Sequence, residues 1–355
     1  MTNSKTILIQ TALVVIFLFF STVLIIKARG FLIPFSTAVI LALLVLPLSR
    51  KLELRNMNRA TASFINTLLL FLISLGFLAL ISFQMKNIVD DWSSIKESIQ
   101  PRMDDFAENI TEHFPILKNS IQIYDNDLSM AGSNEPASSA EKAGAFFYEV
   151  LNFVGNYLLT FIYIFFVLTY RNHFKAFLLR LFPEEKSDEI KKIISRSATV
   201  TQQYLVGKII LIAILAVLYA IGLAISGVEN FILISIFAAT LSLIPYFGNV
   251  IGFGIAMTFG FIGTGETLML AGIIITFSVA QFVESYFLEP YIVGDRVDLH
   301  PFFVILAVIA GNSLWGIMGM ILSIPILAII NVILLDIPSL RPFGFLLSNK
   351  SPSEK

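Results

Sequence analysis

Apolar residues in this chain come in long blocks, not at alternating positions or along single helical stripes. Eight blocks, near 7–26, 31–48, 60–85, 145–170, 205–226, 231–262, 267–288 and 302–335, carry almost no charge. About 20 such residues cross a roughly 30 Å hydrocarbon core as an α-helix. Lipid offers bare peptide groups no partner, so blocks of this length predict helices. Gly30 with Pro34, Gly227 and Gly263/Gly265 mark turns between neighbours. The expected fold class is all-α: a polytopic helical membrane protein with about eight transmembrane segments. The first block has only Lys5 before it and no small-residue cleavage pattern after it, so it reads as half of a transmembrane hairpin with the second block.

Two blocks are too long for one ordinary crossing. The stretches 231–262 and 302–335 would each reach about 50 Å as straight helix. Both contain breakers: Pro245, Gly248, Gly252 and Gly254 in the first, and Gly311, Gly316, Gly319 and Pro325 in the second. Proline removes a backbone donor and glycine lets the chain bend. Interrupted backbone at membrane depth is tolerated where protein or a water-filled cavity covers it, and transporters build binding sites from such breaks. Close helix packing is the other use of the glycines. Either block crosses the membrane or returns to its own side as a re-entrant hairpin. The loop 289–300 bears on that choice, with Glu289, Asp295 and Asp298 against Arg296. Its acidity leans to the outside and to true crossings.

Basic residues in short loops set the orientation. Arg50, Lys51, Arg55 and Arg59 crowd one loop, and Arg171, Lys175, Arg180, Lys186, Lys191 and Lys192 fall in another. Both loops, and both termini, are expected in the cytoplasm. The organisation expected is N-terminal helices over 1–85, an external helical insert over 86–144, a fourth span and its exit over 145–182, a cytoplasmic amphipathic helix over 183–204, a broken-helix core over 205–340 and a cytoplasmic tail over 341–355. The insert is acidic and carries one apolar stripe from Ile88 through Trp92, Ile95 and Ile99 to Phe114, the pattern of an amphipathic helix.

Composition narrows the function. Of 355 residues, 56% are hydrophobic and 14% charged, against about 25% charged in soluble domains. The net charge of −1 gives no basic field for nucleic acid. There is no cysteine, which removes disulfides, thiol catalysis and cysteine-bound metal. His113, His173 and His300 have no metal-ligand spacing. No phosphate loop, HExxH or GxSxG motif is present, so the sequence calls for no enzyme, cofactor or metal.

An ionisable residue at membrane depth is a functional candidate by default. Glu284 is the clearest, and Gln281 lies on the same helix face, three residues before it. A carboxyl there suits a proton-coupled step, a cation contact or a structural hydrogen bond. Asn249 and Asn312 each stand beside a glycine at a suspected break. Each can donate and accept, as recognition of a polyhydroxy solute requires, or can cap a broken helix. The candidate pathway is therefore Pro245, Tyr246, Gly248, Asn249, Gln281, Glu284, Gly311 and Asn312. His300, before Pro301, reads as a helix cap. Lys208 reads as a residue snorkelling to the cytoplasmic interface.

The stretch Glu289-Pro290-Tyr291-Ile292-Val293-Gly294-Asp295-Arg296, running on to Leu299-His300-Pro301, then Gly311, Gly316, Gly319 and Pro325, resembles the AI-2E family of transporters. Ile244-Pro245-Tyr246-Phe247-Gly248 and Tyr204-Leu205-Val206-Gly207-Lys208 are similar to motifs of that family. The motif match covers roughly 200–335, and the remaining chain agrees in layout. Asn312 stands where a second glycine is usual, and Ser285-Tyr286 replaces a more acidic or amide pair. The resemblance implies a bacterial inner-membrane homo-oligomer that exports a small polar solute such as the furanosyl signal autoinducer-2. Some relatives look like sodium/proton antiporters, so protons or sodium are possible partners beside the solute and the lipid bilayer. A membrane scaffold that transports nothing is the third reading.

Overall fold

The computed structural model describes residues 2–90, 139–263, 267–293 and 298–349. Most of the expected external insert, Gly294 and the end of the tail lie outside the described residues. The described chain is helical almost throughout and contains no strand. Six of its helices are long and apolar enough to cross a membrane, and shorter apolar helices accompany them. The protein is a polytopic all-α membrane protein.

Four helices come first: α1 (Thr2–Lys27), α2 (Arg29–Glu53), α3 (Arg59–Asp90) and α4 (Ser139–Arg180). α2 packs on α3, and on α4 through Ala38, Ala42, Val45, Ile164 and Leu168, all buried. The two alanines let the helix axes approach closely where hydrophobic burial drives little association. A 3₁₀ turn (Glu184–Lys186) then leads into α5 (Ser187–Ile225). No glycine or proline interrupts the chain between Ser187 and Val206, so the stretch expected as a cytoplasmic amphipathic helix over 183–204 continues from Ser187 without a break into the next span. The result is one rod of 39 residues, about 58 Å long.

The block 231–262 is a helical hairpin. Its arms are α6 (Phe231–Leu241) and α7 (Phe247–Gly263), joined at a tip over 242–246. Arms of 11 and 17 residues fall short of the ~20 needed to span. Antiparallel pairing is set by close approach near the tip. A Cβ on Gly248 would collide with the Leu241 carbonyl, and one on Gly252 would stand 2.9 Å from the Ala238 Cβ. Pro245 offers no amide to continue α6, and Tyr246 turns the chain at φ 65°.

The block 302–335 also folds back. Helix α9 (Pro301–Asp336) contains a reversal at Trp315 (φ −135°, ψ 16°) and Gly316 (φ 62°, ψ −143°). Gly311 and Gly319 lie against each other across it, each leaving no room for a Cβ before the other's carbonyl. In a continuous helix they would be about 12 Å apart. The two ends of the block therefore lie together. The Asn331 amide donates to the Asp298 carbonyl at 2.7 Å, and His300 N–H donates to the Leu347 carbonyl at 2.7 Å. This overturns the lean to true crossings drawn from 289–300. The charge excess in that short loop is small, whereas backbone contacts fix where its end lies. His300 does cap α9, its Nδ1 accepting from Phe302 N–H at 3.3 Å.

Between the hairpins run α8 (Thr267–Val283) and a π-helical continuation (Glu284–Val293). α8 packs on α5 through Ile273, Phe277 and Tyr219, with the Tyr219 and Phe277 rings stacked at 4.5 Å. After α9, a 3₁₀ turn (Pro338–Leu340) and α10 (Arg341–Leu347) close the described chain. The basic loops share one end of the molecule, where Arg171 pairs with Glu53 at 2.6 Å and Arg196 with Asp336 at 2.7 Å. The tip of the second hairpin reaches the other end, where the Trp315 indole donates to the Ile25 carbonyl at 3.2 Å. The first hairpin starts from that other end, after the α5 turn at Gly227 (φ 75°). The two hairpins thus enter from opposite ends.

Candidate functional site

The first hairpin ends inside the protein, in a cavity of about 430 Å³. Its tip supplies Ser242, Ile244, Pro245, Tyr246 and Asn249 to the wall, and α5 supplies Tyr204 and Lys208. The opposite wall is Gln281, Glu284, Ser285 and Glu289, which straddle the passage from α8 into the π-helix. Val304 and Ile324 of the second hairpin close it. Lys208 lies 17 residues before Ile225 and Glu284 17 residues after Thr267. The cavity is thus about 25 Å along both helices from the end where they turn.

One amide organises the site. Asn249 Nδ2 donates to Glu284 Oε2 at 2.8 Å and to Gln281 Oε1 at 2.7 Å. Gln281 Nε2 in turn donates to Ser285 Oγ at 3.1 Å. Asn249 Oδ1 is buried and has no hydrogen-bond partner. Glu284 is only 5% exposed, so its carboxyl is largely stripped of water and relies on the Asn249 amide that donates to it. Lys208 shares the cavity with Glu284 and Glu289. The cavity therefore holds two carboxyl groups against one ammonium group.

The helix changes pitch at Glu284. A π-helix adds about one residue per turn and is frequent at functional sites. Pro290 lies within it and contributes no amide hydrogen. Pro290 thus removes one donor from the helix that forms this wall of the cavity.

The structure brings Pro245, Tyr246, Asn249, Gln281 and Glu284 together around this cavity. Gly248 stands behind the tip, where it permits the hairpin. Gly311 and Asn312 are elsewhere. Gly311 packs on Gly319 within the second hairpin, and Asn312 is exposed. Gly316 makes the reversal, Pro301 opens α9 and Pro325 is buried in its second arm. Sequence reasoning missed Lys208 as a cavity residue. It sits at the edge of an apolar block, where a long cation can equally reach the interface, and only the packing of α5 on the π-helix distinguishes the two. Tyr204 and Glu289 were also missed, although both lie within the quoted motifs.

Across residues 12–339 the sequence matches the AI-2E family transporter family. The chain belongs to this family. A relative in Bacillus subtilis (strain 168), named "Putative transport protein YueF", is 25% identical over 305 residues, covering 82% of each chain. The "Sodium-lithium/proton antiporter" of Halobacillus andaensis is 24% identical over 328 residues, covering 86% of this chain and 91% of its own. A second Bacillus subtilis protein, "Putative transport protein YrrI", is 30% identical over 138 residues, covering 39% of this chain and 38% of its own. As an AI-2E family member the chain is a membrane permease, and the cavity just described lies inside the matched region.

Proposed function

We propose that this AI-2E family transporter moves a small polar solute, of the kind autoinducer-2 represents, through the cavity at the tip of the first hairpin. The observation that carries the reading is the hydrogen-bonded set Asn249–Gln281–Glu284 around a space of about 430 Å³ inside a membrane protein. An ionisable residue with polar partners at membrane depth is a functional-site candidate by default. Hydroxyl, amide and carboxylate groups converge there, which suits a solute that both donates and accepts hydrogen bonds. Export across a bacterial inner membrane as a homo-oligomer, with both termini in the cytoplasm, is the form this reading takes. The test is flux of autoinducer-2 in proteoliposomes. The parent protein should move it, and Glu284→Gln should lose most of that flux while keeping its assembly state. Equal flux in parent and variant would remove the site from the reading.

One observation favours a second reading. Two carboxylates against one lysine leave a net charge of −1 when all three are ionised, which one monovalent cation balances. The Halobacillus andaensis relative is named a sodium-lithium/proton antiporter, and exchange of protons for sodium or lithium at Glu284 would use the same groups. A pH-sensitive dye in the same proteoliposomes separates the two readings. Sodium- or lithium-driven proton release without any solute supports exchange. Its absence, with solute flux intact, eliminates it.

A further inference from the structure

A second cavity, of about 640 Å³, shares no lining residue with the transport site and opens beside the start of α2 and Trp315. It is enclosed by the start of α2, the middle of α4 and the tip of the second hairpin. Its walls are apolar and aromatic, with Ile33, Leu41, Phe153, Phe161 and Met318 among them. The Tyr157 hydroxyl is already engaged with Ser74 Oγ at 2.6 Å, so the ring presents its apolar face. Arg29 is the one charged residue among those described around it, and it stands at the mouth, at the helix end beside Trp315. Deeper in, Thr37 Oγ1 is buried without a hydrogen-bond partner.

The dimensions suit one ligand class. From Arg29 to Leu41 along α2 is 12 residues, about 18 Å. One bilayer leaflet contributes about half of a ~30 Å hydrocarbon core. A cation at the membrane–water end followed by a leaflet-deep apolar channel has the polarity of a phospholipid.

We propose that this crevice binds one anionic phospholipid of the adjacent leaflet, its phosphate on Arg29 and one acyl chain between α2, α4 and the second-hairpin tip. A neutral-headed lipid would fill the same channel but leave the guanidinium without its anion. Occupied, the crevice props the reversal at Trp315–Gly316, where the Trp315 indole donates to the Ile25 carbonyl of α1. The site thus couples lipid charge to the position of the hairpin whose arms also wall the transport cavity.

The chain has two tryptophans, Trp92 and Trp315. In a Trp92→Phe background Trp315 alone reports on the crevice. This protein, full length, is reconstituted in phosphatidylcholine vesicles containing a small fraction of phosphatidylglycerol brominated on its acyl chain, or the same fraction of brominated phosphatidylcholine. Bromine quenches indole fluorescence on contact. The proposal expects about fivefold stronger apparent binding of the anionic lipid, the gain that one basic side chain near an anionic headgroup provides. Arg29→Gln should reduce it to the phosphatidylcholine level, and Thr160→Phe, which fills the channel, should lower quenching by both lipids. Equal quenching by the two lipids in the parent means ordinary boundary lipid and overturns the proposal. So does a preference that survives Arg29→Gln. Relief of quenching by excess free glycerol phosphate would make the ligand a soluble anion and overturn it as well. Absence of quenching in a helical, monodisperse parent protein would mean that no lipid chain enters the crevice, and overturns the proposal too.

Discussion

At the scale of single residues, Asn249 does the most connecting. Its amide spends both hydrogens on acceptors 32 and 35 positions away in sequence. A hydrogen bond to a charged group contributes about 1.5–3 kcal/mol. Asn249→Leu should therefore cut transport by about tenfold to a hundredfold, measured as proteoliposome flux per unit of folded protein, and should also lower the unfolding temperature, because the buried Glu284 carboxyl loses its donor. Asn249→Asp should lose more, because it sets a second carboxylate against Glu284. Glu284 itself was legible in the sequence, as a lone charge within an apolar run. Its link to Asn249 was not, since no local pattern reports on a partner 35 residues distant. The ion pair of Glu53 with Arg171 has side chains about one-fifth exposed, between the surface case of little value and the buried case of several kcal/mol. Removing one partner by Glu53→Gln should cost about 1–2 kcal/mol, read as a lowered denaturation midpoint in detergent. Ser49, hydrogen-bonded to the same carboxylate at 3.3 Å, retains the smaller share.

At the scale of elements, the two broken blocks teach where sequence stops. Pro245 and Gly316 told where each helix is interrupted. They did not tell whether the chain resumes its direction or reverses it, because both outcomes need the same freedom at the break. The deciding contacts are long-range: Gly248 on Leu241, and Gly311 on Gly319. The same limit explains the pathway residues. The two breaks were expected to face one route, yet the first tip shares its cavity with Val304 and Ile324 in the arms of the second hairpin, while the second tip lies at the far end. Backbone-to-backbone packing of this kind tolerates no added methyl. Gly319→Ala should lower stability by about 1–3 kcal/mol through overpacking, and Gly311→Ala should do the same. Gly316→Ala should cost a similar amount for another reason. Its φ of 62° with ψ of −143° lies where side chains are strained by about 1–3 kcal/mol. Melting curves of the three purified variants check the values. Paired substitution distinguishes the mechanisms: the doubled Gly311→Ala/Gly319→Ala change should be far from additive, because the two glycines share one contact, whereas Gly316→Ala with either should add more nearly.

At the scale of the whole molecule, opposite entry of the hairpins has a consequence for sidedness that eight simple crossings do not. Because each hairpin returns to the end from which it starts, the parity of crossings, and hence the side of the last helix, is the same under either arrangement. What differs is the position of the residues around 298. In the structure they lie with Asn331 and Ser348, at the end marked by Arg196 and Asp336. With 302–335 as a true crossing they would lie opposite that end. The protein contains no cysteine, so single cysteines report without background. Arg55→Cys and Asn349→Cys should react with an impermeant maleimide from the same face of sealed vesicles, and Glu229→Cys from the other. A cysteine at Asp298 is the decisive position. Labelling together with Arg55→Cys keeps the second hairpin re-entrant, and labelling together with Glu229→Cys would turn it back into a crossing. The physics behind the expectation is local. The carbonyl and carboxylate of Asp298 take hydrogen bonds from Asn331 and from Asn349 N–H at 2.7 and 3.0 Å. Placing that residue at the opposite face would forgo both hydrogen bonds and the packing of the residues around 298 on Asn331 and Asn349.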